Sequence, residues 1–248
     1  MAQIESTAIG EGRKSLGNIT YRYVNGKTIA SKRVTTNNSR TPLQVKQRQG
    51  FTGTVKLAKA INPLVYIGFE KGKAGSPNNQ FVKHNGDYMN YIKVKSDYDV
   101  NRPQIAYLYE AINDSNFTGK VVIANGNLNL TNVFAFNSED KLTCKMYLSR
   151  DFLAGDTITL AVCSTYMLVG SMFEAIQMYS KTLTQQDVDQ LPVKNQFEIN
   201  GTTFPDLDLD DHYPEGYSDV KEVITAIVSS EKDRSASIFQ KMPKEDGF

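Results

Sequence analysis

Between Asn18 and Val34, aromatic and apolar positions alternate with polar ones around Asn25-Gly26. Asn-Gly is the two-residue turn whose positive φ angles suit the twist of paired strands, so the pattern predicts a β-hairpin. Pairing Val24 with Lys27 puts Ile19, Tyr21 and Tyr23 on one face with Thr28 and Ala30, and Thr20, Arg22, Ile29 and Ser31 on the other. A lone two-stranded ribbon is marginal in water, so this one needs a partner in its own domain or in a neighbour. Thr41 then suits a helix N-cap and Pro42 the first helical position, with Leu43, Phe51, Val55 and Ala58 at helical spacing until Asn62-Pro63 interrupts. Gly50 and Gly53 weaken that helix, which points to another backbone passing close. A second apolar turn covers Leu64 to Phe69, and Ser76-Pro77 repeats the cap-then-proline signal before a helix holding Phe81, Val82, Tyr88 and Met89.

From Gln104 the period shifts toward two. Strands are predicted over 104–111, 119–124, 127–136, 141–149, 157–164 and 172–180, with turn residues at Asn125-Gly126 and Ala154-Gly155-Asp156. Short strands at this spacing predict an antiparallel β-sandwich of immunoglobulin-like form. Beyond an acidic, proline-punctuated stretch, Val220, Val223, Ile224, Ile227 and Val228 fall on one helical face behind Ser218, which predicts a C-terminal helix. The last residues, with Ile238, Phe239 and Met242, read as an extended tail. The resulting fold class is α+β. Its segments are a basic arm and hairpin over 1–40, a helical segment over 41–103, a sandwich over 104–199, and an acidic loop, helix and tail over 200–248.

Charge changes this picture more than composition does. The net charge of +1 conceals 16 Lys/Arg against 4 Asp/Glu in residues 1–95, and 12 against 23 in residues 96–248. Such polarity suits either a nucleic-acid surface or two complementary surfaces through which copies of one chain bind head to tail. No apolar run approaches the roughly 20 residues that span a bilayer, and the first residues lack the apolar core of a secretory signal, so no membrane partner is expected. Cys144 and Cys163 lack metal or redox spacing and read as buried small hydrophobes.

Candidate chemistry fails at specific positions. In GEGRKSLG, Gly12 and Gly17 have the glycine spacing of a phosphate loop, but Asn18-Ile19 stands where Lys-Ser/Thr is needed and a strand follows instead of a helix. The dinucleotide fingerprint fails because Ser15 occupies its third glycine position. A calcium loop starting at Asp206 needs glycine where Asp211 stands and glutamate where Tyr217 stands, so Asp206-Leu207-Asp208-Leu209-Asp210 reads as a strand with its leucines inward. His84 and His212 belong to no local catalytic signature. The expectation is a non-enzyme with no cofactor, no metal and no catalytic residue.

Nine cations, Arg22, Lys27, Lys32, Arg33, Arg40, Lys46, Arg48, Lys56 and Lys59, lie within 40 residues and are interleaved with Tyr21 and Tyr23. That composition suits a surface contacting a nucleic-acid backbone. It equally suits a stripe facing the acidic half of the next subunit in a ring, or the lining of a channel for DNA. Tyr21, Tyr23, Arg33, Arg40, Arg48 and Phe51 are the candidate interface residues, with Ile238 and Phe239 as a second contact. Phe51 reads as core packing before interface.

Gly17, Ile19, Tyr21, Gly26, Lys32, Arg33, Asn38, Arg40, Thr41, Gln44, Gln47, Arg48 and Phe51 follow a pattern in which a glycine leads into an aromatic hairpin, a basic exit and an N-x-R-T-x-x-Q-x-x-Q-R-x-x-F run. Over residues 12–70 this resembles a domain family of unknown function found in Bacteroidales and their phages, and Val121 to Leu128 more faintly resembles a strand of that family. Members of this family continue into a β-sandwich, and they look like virion components of crAss-like bacteriophages. The resemblance implies a tail or head-to-tail connector protein, a ring of identical subunits bound to the portal and to other tail proteins, with possible contact to packaged DNA. It also implies a virion location after assembly in the host cytoplasm. Residues 200–248 lie outside the resemblance. The alternatives from other classes are a non-catalytic nucleic-acid-binding protein and, third, a carbohydrate-binding module, against which the absence of tryptophan counts.

Overall fold

A computed structural model of the chain describes residues 2–4, 14–16, 18–24, 27–33, 40–70, 75–136, 142–199, 213–231 and 233–243. The chain forms two compact units, residues 1–43 and 44–248. In the first, β1 (Ala2–Ile4), β2 (Lys14–Leu16), β3 (Ile19–Val24) and β4 (Lys27–Lys32) make an antiparallel sheet in the order β1-β4-β3-β2. The expected hairpin register holds, with Val24 opposite Lys27, Tyr23 opposite Thr28 and Tyr21 opposite Ala30. Its Asn25-Gly26 turn lies outside the described residues. The hairpin's partners are two short strands from the chain's own beginning. Lys14–Leu16, inside the glycine-rich stretch, is one of them, and Lys14 pairs with Tyr21.

α1 (Pro42–Ala60), all but its first two residues within the second unit, is followed by α2 (Asn62–Gly68), α3 (Pro77–His84), α4 (Gly86–Val94) and α5 (Gln104–Asn113). The Ser76 side chain caps α3 by accepting from the Asn79 N–H, as the sequence predicted. The remaining elements are β5 (Val122–Ala124), β6 (Leu128–Phe136), β7 (Leu142–Leu148), β8 (Thr157–Leu168), β9 (Ser171–Thr182), α6 (Gln185–Asp189), β10 (Gln196–Ile199), β11 (Ser218–Ser229), β12 (Ser235–Ile238) and β13 (Gln240–Lys241). They form a five-stranded sheet, β10-β7-β6-β12-β5, and a four-stranded sheet, β13-β11-β8-β9. The fold is α+β, and the two sheets pack face to face like a sandwich. Their pairing is antiparallel except where β12 runs parallel to β6.

The four-stranded sheet is covered on both faces. Along β11, Val223 and Ile227 join the helical core with Leu57, Tyr88 and Leu108, whereas Ile224, Ala226 and Val228 join the core between the sheets. On β8, Ala161 and Cys163 face the helices while Ile158, Leu160 and Val162 face the second sheet. This explains two corrections. The C-terminal helix expected over 218–233 is β11: when both faces are buried, the polar half of the alternation disappears and the remaining apolar spacing also fits a helix. The β-branched run Val223-Ile224-Thr225 with Ile227-Val228 favours the strand. Conversely, the strand expected over 104–111 is α5, whose Ile105, Ala106, Tyr107, Leu108 and Ala111 are all buried. A helix enclosed on most sides loses its polar stripe and with it the 3.6-residue signal. The Glu174 carboxylate on β9 accepts from the Ile105 N–H at 2.7 Å, so a side chain from the sheet satisfies one of the first donors of α5.

The expected tail is also structural. Residues 235–238 and 240–241 form β12 and β13, and Phe239 is buried in the helical core while its N–H donates to the Val121 carbonyl. Phe239 is therefore a core residue and not a second contact, while Ile238 is half-buried in the β12–β5 ladder opposite Val122.

Both cysteines are buried and free, and burial pushes the Cys144 thiol up to about 12. At α6, Thr184 and Asp187 form a capping box, and Lys181 lies 2.8 Å from the Asp187 carboxylate. The Lys181 contact and the Thr184 hydroxyl and N–H hold this carboxyl well below its ordinary range. A depressed folded value means that the contribution is complete above the unfolded carboxylate range and lost as pH falls through the folded value. Asp187→Asn is expected to lower the thermal midpoint at pH 7, and the gap to the wild type should close in strongly acid solution. Equal midpoints at pH 7 would remove the assigned role.

Candidate interaction surface on the basic helix

The sequence PLQVKQRQGFTGTVKLAKA of α1 carries Lys46, Arg48, Lys56 and Lys59 and no carboxylate. Its buried face is not the one expected from its large apolar residues. Gly50, Gly53, Thr54, Leu57 and Ala58 point inward, while Leu43 is 74% and Phe51 53% exposed. The reason is close packing. A Cβ on Gly50 would lie 2.6 Å from the Met89 carbonyl oxygen, so α4 approaches α1 on the side where α1 has no side chain. Gln49 completes the seam by donating through Nε2 to the carbonyls of Ile92 at 3.0 Å and Lys95 at 2.8 Å. Phe51 is consequently a surface residue and not the core residue expected from the helical spacing.

The outward side of α1 has a definite pattern. Arg48, Thr52 and Lys56 follow at intervals of four and Lys59 at three more, which places them on one face of the helix. Val45, Arg48 and Thr52 line a shallow cleft of about 410 Å³ whose far wall is Tyr98, Asp99 and Val100. Val45 and Val100 are 47% and 37% exposed, so the cleft has an apolar strip beside Arg48. Lys56 donates through Nζ to the Val100 carbonyl at 2.6 Å, and among the described residues no carboxylate pairs with Arg48 or Lys59.

The far wall is held by α5. The Tyr107 hydroxyl accepts from the Asp99 N–H at 2.7 Å, and the Arg102 guanidinium lies 4.7 Å over the Tyr107 ring. Glu110 receives both Arg102 and Lys95, the latter at 2.7 Å. Burial opposes the charge on Lys95, but the Glu110 carboxylate outweighs it and holds the ammonium above the ordinary lysine range. The cleft is thus a preformed surface.

The other candidate residues are dispersed. Tyr21 is half-buried on β3, Arg33 is exposed and its N–H donates to the Asn18 carbonyl, and Tyr23 and Arg40 also belong to the 1–43 unit. Arg48 and Phe51 share α1. The structure adds Val45, Tyr98 and Val100, which periodicity alone did not select; the absence of any carboxylate over the 19 residues of α1 was the legible signal. His84 is exposed, stacks on Phe69 at 5.8 Å and contacts the Asn125 amide. His212 and Asp206 to Asp211 lie outside the described residues. Among the described residues no His/Cys/Asp/Glu group is arranged to hold a metal, and no helix is long and apolar enough to cross a membrane.

No known protein family, curated protein or solved structure matches the chain.

Proposed function

We propose that this protein is a structural virion component, a subunit of a tail or portal-adjacent connector ring of a bacteriophage, that works by binding copies of itself and neighbouring virion proteins. The observation that carries the self-binding part is the charge polarity of the chain, expressed on an accessible helix: α1 presents Arg48, Lys56 and Lys59 beside exposed Val45 and Phe51, while the Asp/Glu excess lies beyond residue 95. The phage assignment rests on the sequence pattern of residues 12–70 described above, without a family match beside it. The separate compact unit formed by residues 1–43 supports the reading, because a small basic sheet on its own unit suits an arm that engages a neighbour. In this reading no cofactor is required, and any DNA contact is made through the basic N-terminal half.

The test is the native mass of the full chain at low and high salt, alone and with a purified portal ring. Discrete high-order species, or recruitment to the portal in a fixed ratio, are expected. A monomer that ignores the portal and binds DNA with steep salt dependence would overturn the proposal in favour of a nucleic-acid-binding protein.

A further inference from the structure

The side of α4 turned away from α1 is acidic and aromatic. Met89 and Ile92 meet Gly50 and Gly53 of α1, and at 3.6 residues per turn Asp87, Asn90, Tyr91 and Val94 fall on the opposite side of α4. With the 114–119 connection they line a cleft of about 410 Å³ whose charged lining residues are Asp87 and Asp114; no Lys or Arg lines it. Resting on the self-assembly reading above, we infer that this cleft receives the Arg48 guanidinium of a second copy of this chain.

The cleft selects a guanidinium by charge and by shape. Among the described residues the Asp87 carboxylate has no hydrogen-bond or ion partner. Asp114 spends only Oδ1, which accepts from the Asn116 N–H at 2.8 Å and its Nδ2 at 3.0 Å, and these bonds hold the wall in place. Tyr91 and Phe117, ring centres 5.4 Å apart, add aromatic surface, on which a planar guanidinium stacks better than an ammonium. The fold already holds one arginine by this chemistry: Arg102 pairs with Glu110 and lies 4.7 Å from the centre of the Tyr107 ring. Lys95, 5.7 Å from the centre of the Tyr91 ring, does not line the cleft and is held by Glu110 at 2.7 Å.

On the donor side, Arg48 is the one arginine of α1, a helix without a carboxylate. It is exposed and makes no ion pair with Asp99 across the α1 cleft. Phe51, three residues further on and 53% exposed, supplies the apolar neighbour for Val94, which is 73% exposed at the acceptor cleft. Arg48 stands two residues, about 200° around the helix, from Gly50, so it points away from α4, just as the cleft opens away from α1. Donor and acceptor thus lie on opposite sides of one helix pair. Contact between them is head to tail, the kind that closes into a ring where the rotation allows.

The experiment measures association of the full chain by native mass and sedimentation, with the charge at the cleft changed in both directions. Val94 is exposed, so Val94→Arg and Val94→Glu should keep the wild-type thermal midpoint; Asp87→Asn replaces Val94→Arg if that variant does not. Val94→Arg and, separately, Arg48→Glu are each expected to weaken association about 100-fold, whereas Val94→Glu should preserve or tighten it. Mixing Val94→Arg with Arg48→Glu should restore association, because the first chain keeps Arg48 and the second keeps the cleft. Wild-type assembly that none of these variants changes would overturn the docking inference and leave the self-assembly reading standing. Equal weakening by Val94→Arg and Val94→Glu would overturn the choice of a cation as occupant. Weakening by Arg48→Glu alone would give Arg48 a different acceptor and overturn the cleft. A wild-type chain that stays monomeric at every concentration and salt would overturn both the inference and the reading beneath it.

Discussion

Replacing Gly126 with alanine is expected to destabilise the protein by about 3 kcal/mol or more, a large share of the 5–15 kcal/mol that a domain typically has. A Cβ at this position would lie 1.8 Å from the Arg234 carbonyl oxygen and 2.3 Å from its carbon. The obstruction is backbone against backbone, so no side-chain rotation relieves it. The same carbonyl accepts the Leu128 N–H at 3.1 Å, and the next residue, Ser235, begins the parallel pairing of β12 with β6 opposite Leu128. Moving the chain at residue 126 therefore disturbs the insertion of β12 between β5 and β6, where the two halves of the five-stranded sheet join. Gly86 is the matched control, because a Cβ there meets nothing within 4 Å in helix α4. Gly86→Ala should be neutral or stabilising by a few tenths of a kcal/mol. Urea denaturation of both variants measures the contrast. A Gly126→Ala midpoint equal to that of the wild type would show that the approach of the two backbones is not as described.

Removing Arg150 should cost about 3–5 kcal/mol, more than removing its partner Asp156. The guanidinium grips the Asp156 carboxylate with both terminal nitrogens, at 2.7 and 2.8 Å, and the Leu153 N–H donates to the same carboxylate at 2.9 Å. The side chains differ in exposure, 23% for Arg150 and 1% for Asp156. Arg150→Ala leaves a buried carboxylate with a single N–H donor, whereas in Asp156→Ala the freed guanidinium can turn toward water, so about 2–3 kcal/mol is expected there. Replacing both by leucine should recover much of the loss. Equilibrium unfolding of the three variants orders them, and an Asp156→Ala variant less stable than Arg150→Ala would reverse the argument. Because Gly155 and Asp156 exchange backbone hydrogen bonds with Leu183, this pair also fixes how the β7–β8 connection meets the end of β9.

Where a local pattern had one meaning, it was legible in the chain. Asn25-Gly26 between alternating runs set the β3–β4 register residue by residue, Ser76-Pro77 capped α3, and five strands between residues 119 and 182 lay where the period of two placed them. Gly50 and Gly53 in a helical run point to a close approach, and α4 makes it through Met89 and Ile92. The absence of carboxylates from α1 and the split of charge at residue 95 are likewise explicit in the sequence, and they carry the proposed surface.

Other features depended on neighbours distant in sequence. β11 and α5 were exchanged, strand for helix, because each is covered on nearly all sides and burial erases the polar positions from which a period is read. Phe51 was expected inside, and Phe239 at an exposed contact, for one reason. Which face of a helix or terminal strand is covered depends on the partner that arrives, and a glycine face can win that place from a phenylalanine when the partner is another backbone. Local propensity and spacing thus determined most elements and the charge layout. Only the tertiary packing decided which elements have two buried faces, and hence that the cations of α1 point outward beside Val45 and Val100.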